Sequence, residues 1–378
     1  MATYSLDSYA NGHPVMHGRS LRIACVYTRD PRPGIEAMSM SGLRLFRMAE
    51  ALARRGHQVD IVIDLHPEPS LLTQRLRAVP FRRVQWNDYD IVKTVFYGGW
   101  ESLVATSGGN HPFIVSKLGS VVGRRHTEGV YFPGEIREKL FQAQEQVARR
   151  SRIVTVLTNR NAALWLAEHG QATQLHIVPT GVDAEIPPAR RNPYADLRID
   201  QPVALFAGNI YTRDQQPELN VLWQDRLNWL GRALRRRGVQ LVAIGNGQTD
   251  LLDRQAVFHF GPIEATEIWD WQRFARVGIV IAQGAVQDNE SSKIYYYLRT
   301  GLPVVCEAPI PNSWLIKSTG LGIVVSYGDD QSFLDAVTEL SEKPPKNEGV
   351  EEYMIKNHSW DVRAATYDSA FAAAAKRI

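Results

Sequence analysis

The side chains best suited to chemistry lie together in one run of the sequence, Asp288-Asn-Glu-Ser-Ser-Lys293. The apolar spacing that follows predicts a helix over Glu290–Arg299, with Asn289 or Asp288 as its N-cap. The open N–H groups and positive dipole end of a helix attract anions. A helix end that carries two serines and a lysine is therefore suited to a diphosphate.

Each side chain of this run has an expected role. Diphosphate binding is predicted for Ser291, Ser292 and Lys293. Neutral sugar hydroxyl groups are expected to bind Asp288 or Glu290, because a carboxylate accepts hydrogen bonds. A second interpretation stays open, in which the run is only the start of an amphipathic helix with Tyr295 and Tyr296 partly in the core.

Glycine follows three successive predicted strands in the same half of the chain. The strands Val203–Ala207, Gln240–Ile244 and Val257–Phe260 are followed by Gly208, Gly245 and Gly261. Glycine allows backbone N–H groups to approach a phosphate or a flat base closely. One such glycine more often marks an ordinary tight turn, but three at one sheet edge indicate a ligand.

The elements that position these residues form two α/β halves. Buried β-branched runs alternate with helical periods, which predicts two doubly wound Rossmann-like sheets with a site in a central cleft between them. A proline-rich linker interrupts the alternation at about Gly181–Pro202. The predicted organisation is a loose leader over 1–20, a first domain over 21–190, a second over 200–357, and a helix over 358–378 that returns to the first domain.

Composition fits an ordinary soluble enzyme. The 378 residues are 44% hydrophobic and 22% charged, with a net charge of +3. No apolar run approaches the roughly 18–20 residues that span a bilayer, and Met1–Ser20 lacks a secretory apolar region, so a cytoplasmic location is expected. Cys25 and Cys306 lie in apolar runs in different halves and are predicted to be buried free thiols.

The arginines are clustered but scattered along the chain, without the aromatic and basic motifs of nucleic-acid binding, so no nucleic-acid partner is expected. The stretch Gln74–Trp86 mixes four arginines with apolar side chains. It supports a hypothesis of peripheral contact with an anionic membrane, at its inner face. The alternative is a plain surface helix and loop.

Several segments, in order, resemble the retaining GT-B glycosyltransferases of family 4. The run Lys293-Ile-Tyr-Tyr-Tyr-Leu-Arg-Thr-Gly-Leu-Pro-Val-Val305 is similar to the family segment that begins with lysine and ends in Gly-x-Pro-Val-Val. His176-Ile-Val-Pro-Thr-Gly-Val-Asp183 is similar to the end of the family's first domain. Ala243–Gly247, Phe258–Ile263 and Ser359-Trp360 also match in order and spacing.

The resemblance implies roles for individual residues. It places Gly208 and Lys293 at a donor diphosphate, Gly261 to Ile263 against a nucleobase, and Gly34 near the phosphates or the acceptor. Two family glutamates fall on Asp288 and Tyr296, and tyrosine can offer its hydroxyl to a donor ribose but cannot act as a carboxylate. Asn209 stands where arginine is common, which leaves Arg213 as a cation in that loop.

The resemblance also implies a cleft histidine. His126 is the first candidate and, with Asp288 and Glu290, is expected to be catalytic. His111 is the second candidate, with a solvated loop histidine as the plainer interpretation of either. Asp88-Tyr89-Asp90 has the D-x-D spacing of some metal sites, but it abuts a predicted strand as an ordinary turn. The resemblance calls for neither a metal nor another cofactor.

The predicted activity is transfer of a sugar from a nucleotide diphosphate-sugar to an acceptor hydroxyl, with retention. The acceptor class stays open among carbohydrates, lipid-linked compounds and small molecules. Two alternatives stay open: a GT-B sugar-nucleotide epimerase, and a non-catalytic subunit that binds a partner transferase. A dinucleotide-dependent oxidoreductase is disfavoured, because the first strand leads into Arg29–Gly34 without a G-x-G-x-x-G turn.

Overall fold

The protein is described here by a computed structural model that covers residues 20–28, 40–126, 132–171, 173–213, 216–264 and 266–375. Gly34 and the leader predicted over 1–20 (Ser20 apart) lie outside these residues. The chain divides into two compact units. One contains the described residues of Met1–Arg125, Arg137–Ala184 and Ile355–Ile378, and the other those of His126–Ile136 and Glu185–Met354.

The first unit is built on a mostly parallel sheet. Its strands are β1 (Arg22–Val26), β2 (Gln58–Val62), β3 (Ser70–Leu71), β4 (Leu76–Val79), β5 (Ile91–Val95), β6 (Ile114–Lys117), β7 (Ile153–Val156) and β8 (Gln174–Ile177). Their order is β3-β4-β2-β1-β5-β6-β7-β8, with only the β3–β4 pair antiparallel among the described strands. The buried β-branched runs pack against helices on both faces, as a doubly wound sheet requires.

The helices of this unit are α1 (Met40–Arg54), α2 (Phe96–Ser107), α3 (Gly134–Arg150), α4 (Asn159–His169) and α12 (Trp360–Ala375). The first and last pack together over the buried side chains of β1 and β2. The Trp360 N–H donates a hydrogen bond to the Val182 carbonyl (3.1 Å), which ties the start of α12 to the segment that follows β8. This last helix lies within the segment 358–378 that was predicted to be helical.

The second unit holds a six-stranded parallel sheet. Its strands are β9 (Val203–Ala207), β10 (Gln240–Ile244), β11 (Val257–Gly261), β12 (Val277–Val280), β13 (Val304–Glu307) and β14 (Gly322–Val325). Its helices are α5 (Pro193–Asp196), α6 (Pro217–Arg236), α7 (Ile268–Phe274), α8 (Ser292–Arg299), α9 (Trp314–Thr319) and α10 (Asp330–Glu342). The chain then continues through α11 (Val350–His358). The strand order is β11-β10-β9-β12-β13-β14, so the order reverses between β9 and β12.

Tyr297 of α8 fills the point where β9 and β12 part. The two strands pair only at Val277 and Gly278. Beyond this pairing, the buried Tyr297 hydroxyl accepts a hydrogen bond from the Ala207 N–H (2.8 Å) and donates one to the Leu205 carbonyl (3.1 Å). Burial raises the pKa of this phenol, so the neutral form persists and both bonds are kept.

Both cysteines are buried free thiols, as predicted. The stretch Gln74–Trp86 is not a surface helix, because it contains β4 and 3-10 turns. Its apolar side chains Leu76, Val79 and Phe81 are buried. Arg77 pairs with Asp60, and Arg82 and Arg83 pair with Glu68. Within the described part of the chain, every helix is too short or too polar to cross a bilayer.

Gly278 offers a test of this packing. A Cβ at Gly278 would overlap the ring of Tyr297, which is fully buried. Gly278→Ala is therefore expected to lower the free energy of unfolding by about 1–3 kcal/mol, measured by urea denaturation. Gly134→Ala is the control, because a Cβ there meets no atom within 4 Å; equal stability loss in both variants would contradict the account.

Candidate functional site

The reversal of strand order marks the candidate ligand-binding edge of the second sheet. Connections from β9 and β12 leave in opposite directions, and in such sheets the crevice beyond the strand ends is open to a ligand. Gly208 follows β9 directly, and the chain after β12 leads into the run from Asp288 to Lys293. The topology thus brings together two features that the sequence places 80 positions apart.

The three glycine-bearing strand ends contact one another. The Gly208 N–H donates to the Ile244 carbonyl, and the Gly245 N–H donates to the Gly261 carbonyl, both at 2.8 Å. A Cβ at Gly245 would overlap the Gly208 carbonyl, so glycine there is required by the packing of the loops themselves. Gly261 has φ +87°, and a Cβ on it would meet open space. Of these glycines, Gly261 alone is left with room beside it.

Lys293 lies over Gly208. Its ammonium is 4.9 Å from the centroid of the Phe206 ring and 5.2 Å from that of Trp223. A Cβ on Gly208 would come within 2.6 Å of this ammonium. The glycine therefore keeps the space that the lysine side chain occupies, and the two rings hold the cation by its attraction to their π faces.

The start of α8 differs from the prediction. The helix begins at Ser292 with Ser291 as its N-cap, so the predicted start at Glu290 and the predicted caps Asn289 and Asp288 are wrong. The Ser291 side chain makes no capping hydrogen bond. Asn312 holds the Ser291 backbone instead, accepting from its N–H (2.8 Å) and donating to its carbonyl (2.9 Å). Hydrogen bonds to Asn312, rather than a local side-chain cap, therefore fix the start of α8.

Two of the predicted catalytic residues form a pair. The His126 Nε2 lies 2.7 Å from Asp288 Oδ2, across 162 positions of sequence. Asp288 is almost fully buried and His126 about one-quarter exposed. An ionised carboxylate has only acceptors, so the imidazole N–H donates. The arrangement fixes the imidazole ring and supplies a buried negative charge with a hydrogen-bond donor.

The side chains of Glu290 and Tyr296 lie in different surroundings. The buried Glu290 carboxylate accepts a hydrogen bond from the Tyr295 hydroxyl (3.1 Å). Tyr296 is buried with its ring 5.6 Å from that of Trp269. The tyrosine that stands where the resemblance expects a second acid is therefore packed in the core of the unit.

The remaining predicted donor residues lie around the loop after β9. Asn209 is exposed, and its side-chain oxygen accepts from the Asn246 N–H (3.2 Å). Arg213 forms an ion pair with Asp250 at 2.6 Å, and both side chains are more than one-third exposed. An exposed pair of this kind is weak, so a stronger anion can displace it. Ile263, just beyond β11, is half-buried.

His111 has a structural role in the first unit. Its Nδ1 contacts the Phe113 backbone, and its Nε2 lies 3.0 Å from the Tyr89 carbonyl. The neighbouring Asp90 accepts a hydrogen bond from the Arg22 N–H (2.8 Å), in keeping with a turn. Among the described residues, no cluster of three or more histidines, cysteines and acids could hold a metal ion.

Sequence reasoning missed Asn312 and Trp223. Asn312 follows β13 in a loop and is buried, but the residues around it in the sequence do not indicate that its side chain bonds to the Ser291 backbone. Trp223 is on the buried face of α6, where its helical spacing indicates only a core residue. Asn312 contacts Ser291, about 20 positions away, and Trp223 contacts Lys293, about 70 positions away.

Comparison with solved structures identifies the architecture. No protein-family model and no curated protein matches the chain. Sucrose-phosphate synthase from Thermosynechococcus elongatus aligns with a TM-score of 0.69 at 14% identity, over 94% of this chain and 100% of that one. It is a GT-B glycosyltransferase. The chain has the GT-B fold.

Two other solved structures support the GT-B assignment. Anabaena HepE in complex with UDP aligns with a TM-score of 0.66 at 11% identity, over 93% of this chain and 100% of that one. WaaG, a glycosyltransferase involved in lipopolysaccharide biosynthesis, aligns at 0.57 with 14% identity, over 92% and 95%. The two-sheet GT-B architecture predicted from the sequence is thereby confirmed.

The Lys293 ammonium should dominate anion binding at this edge. Lys293→Met keeps an apolar stem against Phe206 and Trp223 but removes the charge. Pyrophosphate binding, measured by calorimetry, is expected to weaken about tenfold to a hundredfold, the value of a charge-assisted hydrogen bond. Lys317→Met, which removes an exposed lysine of α9, is the control. Equal weakening in both variants would show only loss of overall charge.

The His126–Asp288 pair can be tested by a double-mutant cycle. His126→Ala leaves a buried carboxylate without its imidazole donor, so we expect a loss of about 1–3 kcal/mol in unfolding free energy. In the Asp288→Asn background, His126→Ala should lower the unfolding free energy by clearly less. The difference between the two losses is the coupling energy, expected to be ~1 kcal/mol in urea denaturation. Strictly additive losses would mean that the two side chains do not interact.

Proposed function

We propose that the chain is a nucleotide-sugar-dependent glycosyltransferase, which transfers a sugar to an acceptor hydroxyl with retention at the anomeric carbon. The observation that carries the proposal is the Lys293 ammonium over Gly208, at the edge where β9 and β12 part. HepE, which has a similar fold, has been solved with UDP and with UDP-glucose. A uridine diphosphate-sugar is therefore the first donor to test.

The positive groups of this edge suit the charge that develops in such a reaction. Cleavage of the donor's glycosidic bond leaves negative charge on the departing diphosphate. Fixed positive groups at that position stabilise the transition state because they need no rearrangement as the bond breaks. Lys293 and the N–H groups at the start of α8 are such groups. In this proposal they supply the charge, so the transfer uses no metal ion or other cofactor.

Asp288 is a better candidate than Glu290 for holding the sugar. The Glu290 carboxylate bonds to Tyr295 in the interior of the unit. Asp288 instead pairs with His126, which is partly exposed and can reach a bound molecule. The Asp288 carboxylate would accept sugar hydroxyl groups and keep the imidazole oriented. In this role the pair positions the sugar while the diphosphate departs.

Three observations favour a second function, a non-catalytic GT-B subunit that binds a partner transferase. Tyr296 packs against Trp269 at the position where the resemblance expects a carboxylate. Asn209 stands where arginine is common, and Arg213 is paired with Asp250. A subunit of this kind would keep the fold and lose turnover. A GT-B epimerase is distinguished by conversion of the donor, without an acceptor, to a second sugar nucleotide rather than to free sugar and nucleoside diphosphate.

A donor panel tests the proposal. UDP-, GDP- and TDP-sugars are titrated into the protein by calorimetry, and release of the nucleoside diphosphate is then followed with candidate acceptors. At least one donor should bind, and turnover should persist in EDTA. Asp288→Asn should lower turnover by about a hundredfold or more while donor affinity changes far less, because the sugar is misplaced but the diphosphate still binds.

The stereochemical outcome is read from slow donor hydrolysis, with water as the acceptor. The first anomer of the released sugar, observed by ¹H NMR, should match that of the donor. Release of the opposite anomer would refute retention. If no donor of the panel binds, the enzyme proposal fails; binding without turnover on any acceptor would favour the non-catalytic subunit.

A further inference from the structure

Glu307 is a buried acid to which the proposed transfer gives no role. It is the last residue of β13 and is only 1% exposed. Its Oε2 accepts a hydrogen bond from the Ala282 N–H (2.6 Å), and its Oε1 accepts one from the Arg226 guanidinium (3.1 Å). A buried ion pair often adds little stability compared with apolar residues of similar size. What distinguishes Glu307 is therefore the backbone group to which it bonds.

Arg226 fixes the orientation of this carboxylate. It lies on α6 with its side chain 18% exposed, and its guanidinium also pairs with Asp330, the first residue of α10. The ring centroids of Trp229 and Phe333 lie 5.1 Å and 5.9 Å from its Cζ atom, which restricts the side chain further. The arginine occupies one oxygen of Glu307, so the other oxygen stays directed at the backbone.

That backbone group, the Ala282 N–H, lies at the start of the segment that carries Asp288. β12 ends at Val280, and residues 282–291 then reach α8 without another helix or strand. Such a segment depends on side chains of other elements for its position, because its buried N–H and C=O groups lack the regular partners of a helix or sheet. Glu307 is one of these side chains, since it accepts the bond from Ala282.

Gln287 ties the rest of the segment to this anchored end. Its buried side chain accepts a hydrogen bond from the Gln283 N–H (3.2 Å) and donates one to the Asn289 carbonyl (2.8 Å). Asp288 lies between Gln287 and Asn289 in the chain. The hydrogen bonds of Gln287 thus couple the position of Asp288 to that of the residue next to Ala282.

We propose that Glu307 is a positioning residue, which holds Ala282 and, through the turn closed by Gln287, the carboxylate of Asp288. The effect on a bound sugar rests on the proposed glycosyl transfer, whereas the anchoring of the segment rests only on these contacts. A misplacement of about 1 Å at a positioning group can lower turnover about a hundredfold. Lys293 is carried by α8, so binding of the diphosphate does not depend on Glu307.

Amide hydrogen exchange of the full chain, read by mass spectrometry, tests the anchor without any substrate. In Glu307→Gln the single amide oxygen goes to the charged Arg226, which leaves an NH2 group facing the Ala282 N–H. Peptides that cover 282–291 should then exchange about tenfold faster. Adding Arg226→Met should restore the wild-type rate, because the amide oxygen can then accept from Ala282. Asp330→Asn, which removes only the more exposed partner of Arg226, is the control and should leave the rate unchanged.

Turnover of UDP-glucose gives the functional readout. Glu307→Gln should lower turnover about tenfold while UDP affinity is unchanged, because Asp288 is misplaced but Lys293 is not. Adding Arg226→Met should restore turnover. In the Asp288→Asn background, Glu307→Gln should lower turnover much less, since the side chain through which it acts is already altered. A merely structural ion pair predicts the opposite, a double variant that melts lower and turns over no better than Glu307→Gln.

The outcomes separate this inference from the proposed function. Faster exchange of 282–291 in Glu307→Gln, restored by Arg226→Met, supports the anchor even if no donor binds, a result that refutes only the transferase proposal. Unchanged exchange in Glu307→Gln, or a rise spread evenly over the second unit, overturns the anchor. An equal loss of turnover with and without Asp288→Asn overturns the positioning role and leaves the transferase proposal standing.

Discussion

The candidate site of the second unit depends on the hydroxyl of Tyr297. Where β9 and β12 part, the backbone groups that would have paired between them need other partners, because buried N–H and C=O groups are costly to leave unbonded. The Tyr297 hydroxyl serves both strand-end groups of β9, at Ala207 and Leu205. The sheet can therefore open at this point without losing hydrogen bonds.

The same side chain determines the position of α8. Tyr297 packs against Gly278 of β12 while it bonds to β9, so the helix is fixed to both strands. Lys293 lies one turn earlier on that helix and is carried over Gly208. The glycine gives the ammonium room, and the Phe206 and Trp223 rings limit where it can go. A rigid sheet edge thus positions a single flexible side chain.

The two units place cations differently. In the second, Lys293 lies at a sheet edge between aromatic rings, and Arg213 is exposed and paired with Asp250. In the first, Lys93 is inside the sheet and Lys117 is nearly buried at a strand end. Exposed cations are screened and contribute little to binding, whereas buried ones act through a lower dielectric.

The sequence by itself determined the two-sheet architecture and the strand-end glycines, and it predicted a ligand site at the run from Asp288 to Lys293. Buried β-branched runs and helical periods are local, so they can be read without knowing the neighbours. The N-cap of α8, the His126–Asp288 pair and the core position of Tyr296 were decided only by tertiary structure. Each depends on residues tens to hundreds of positions apart, and the free energy of a cap or an ion pair is set by the groups that surround it when the chain has folded.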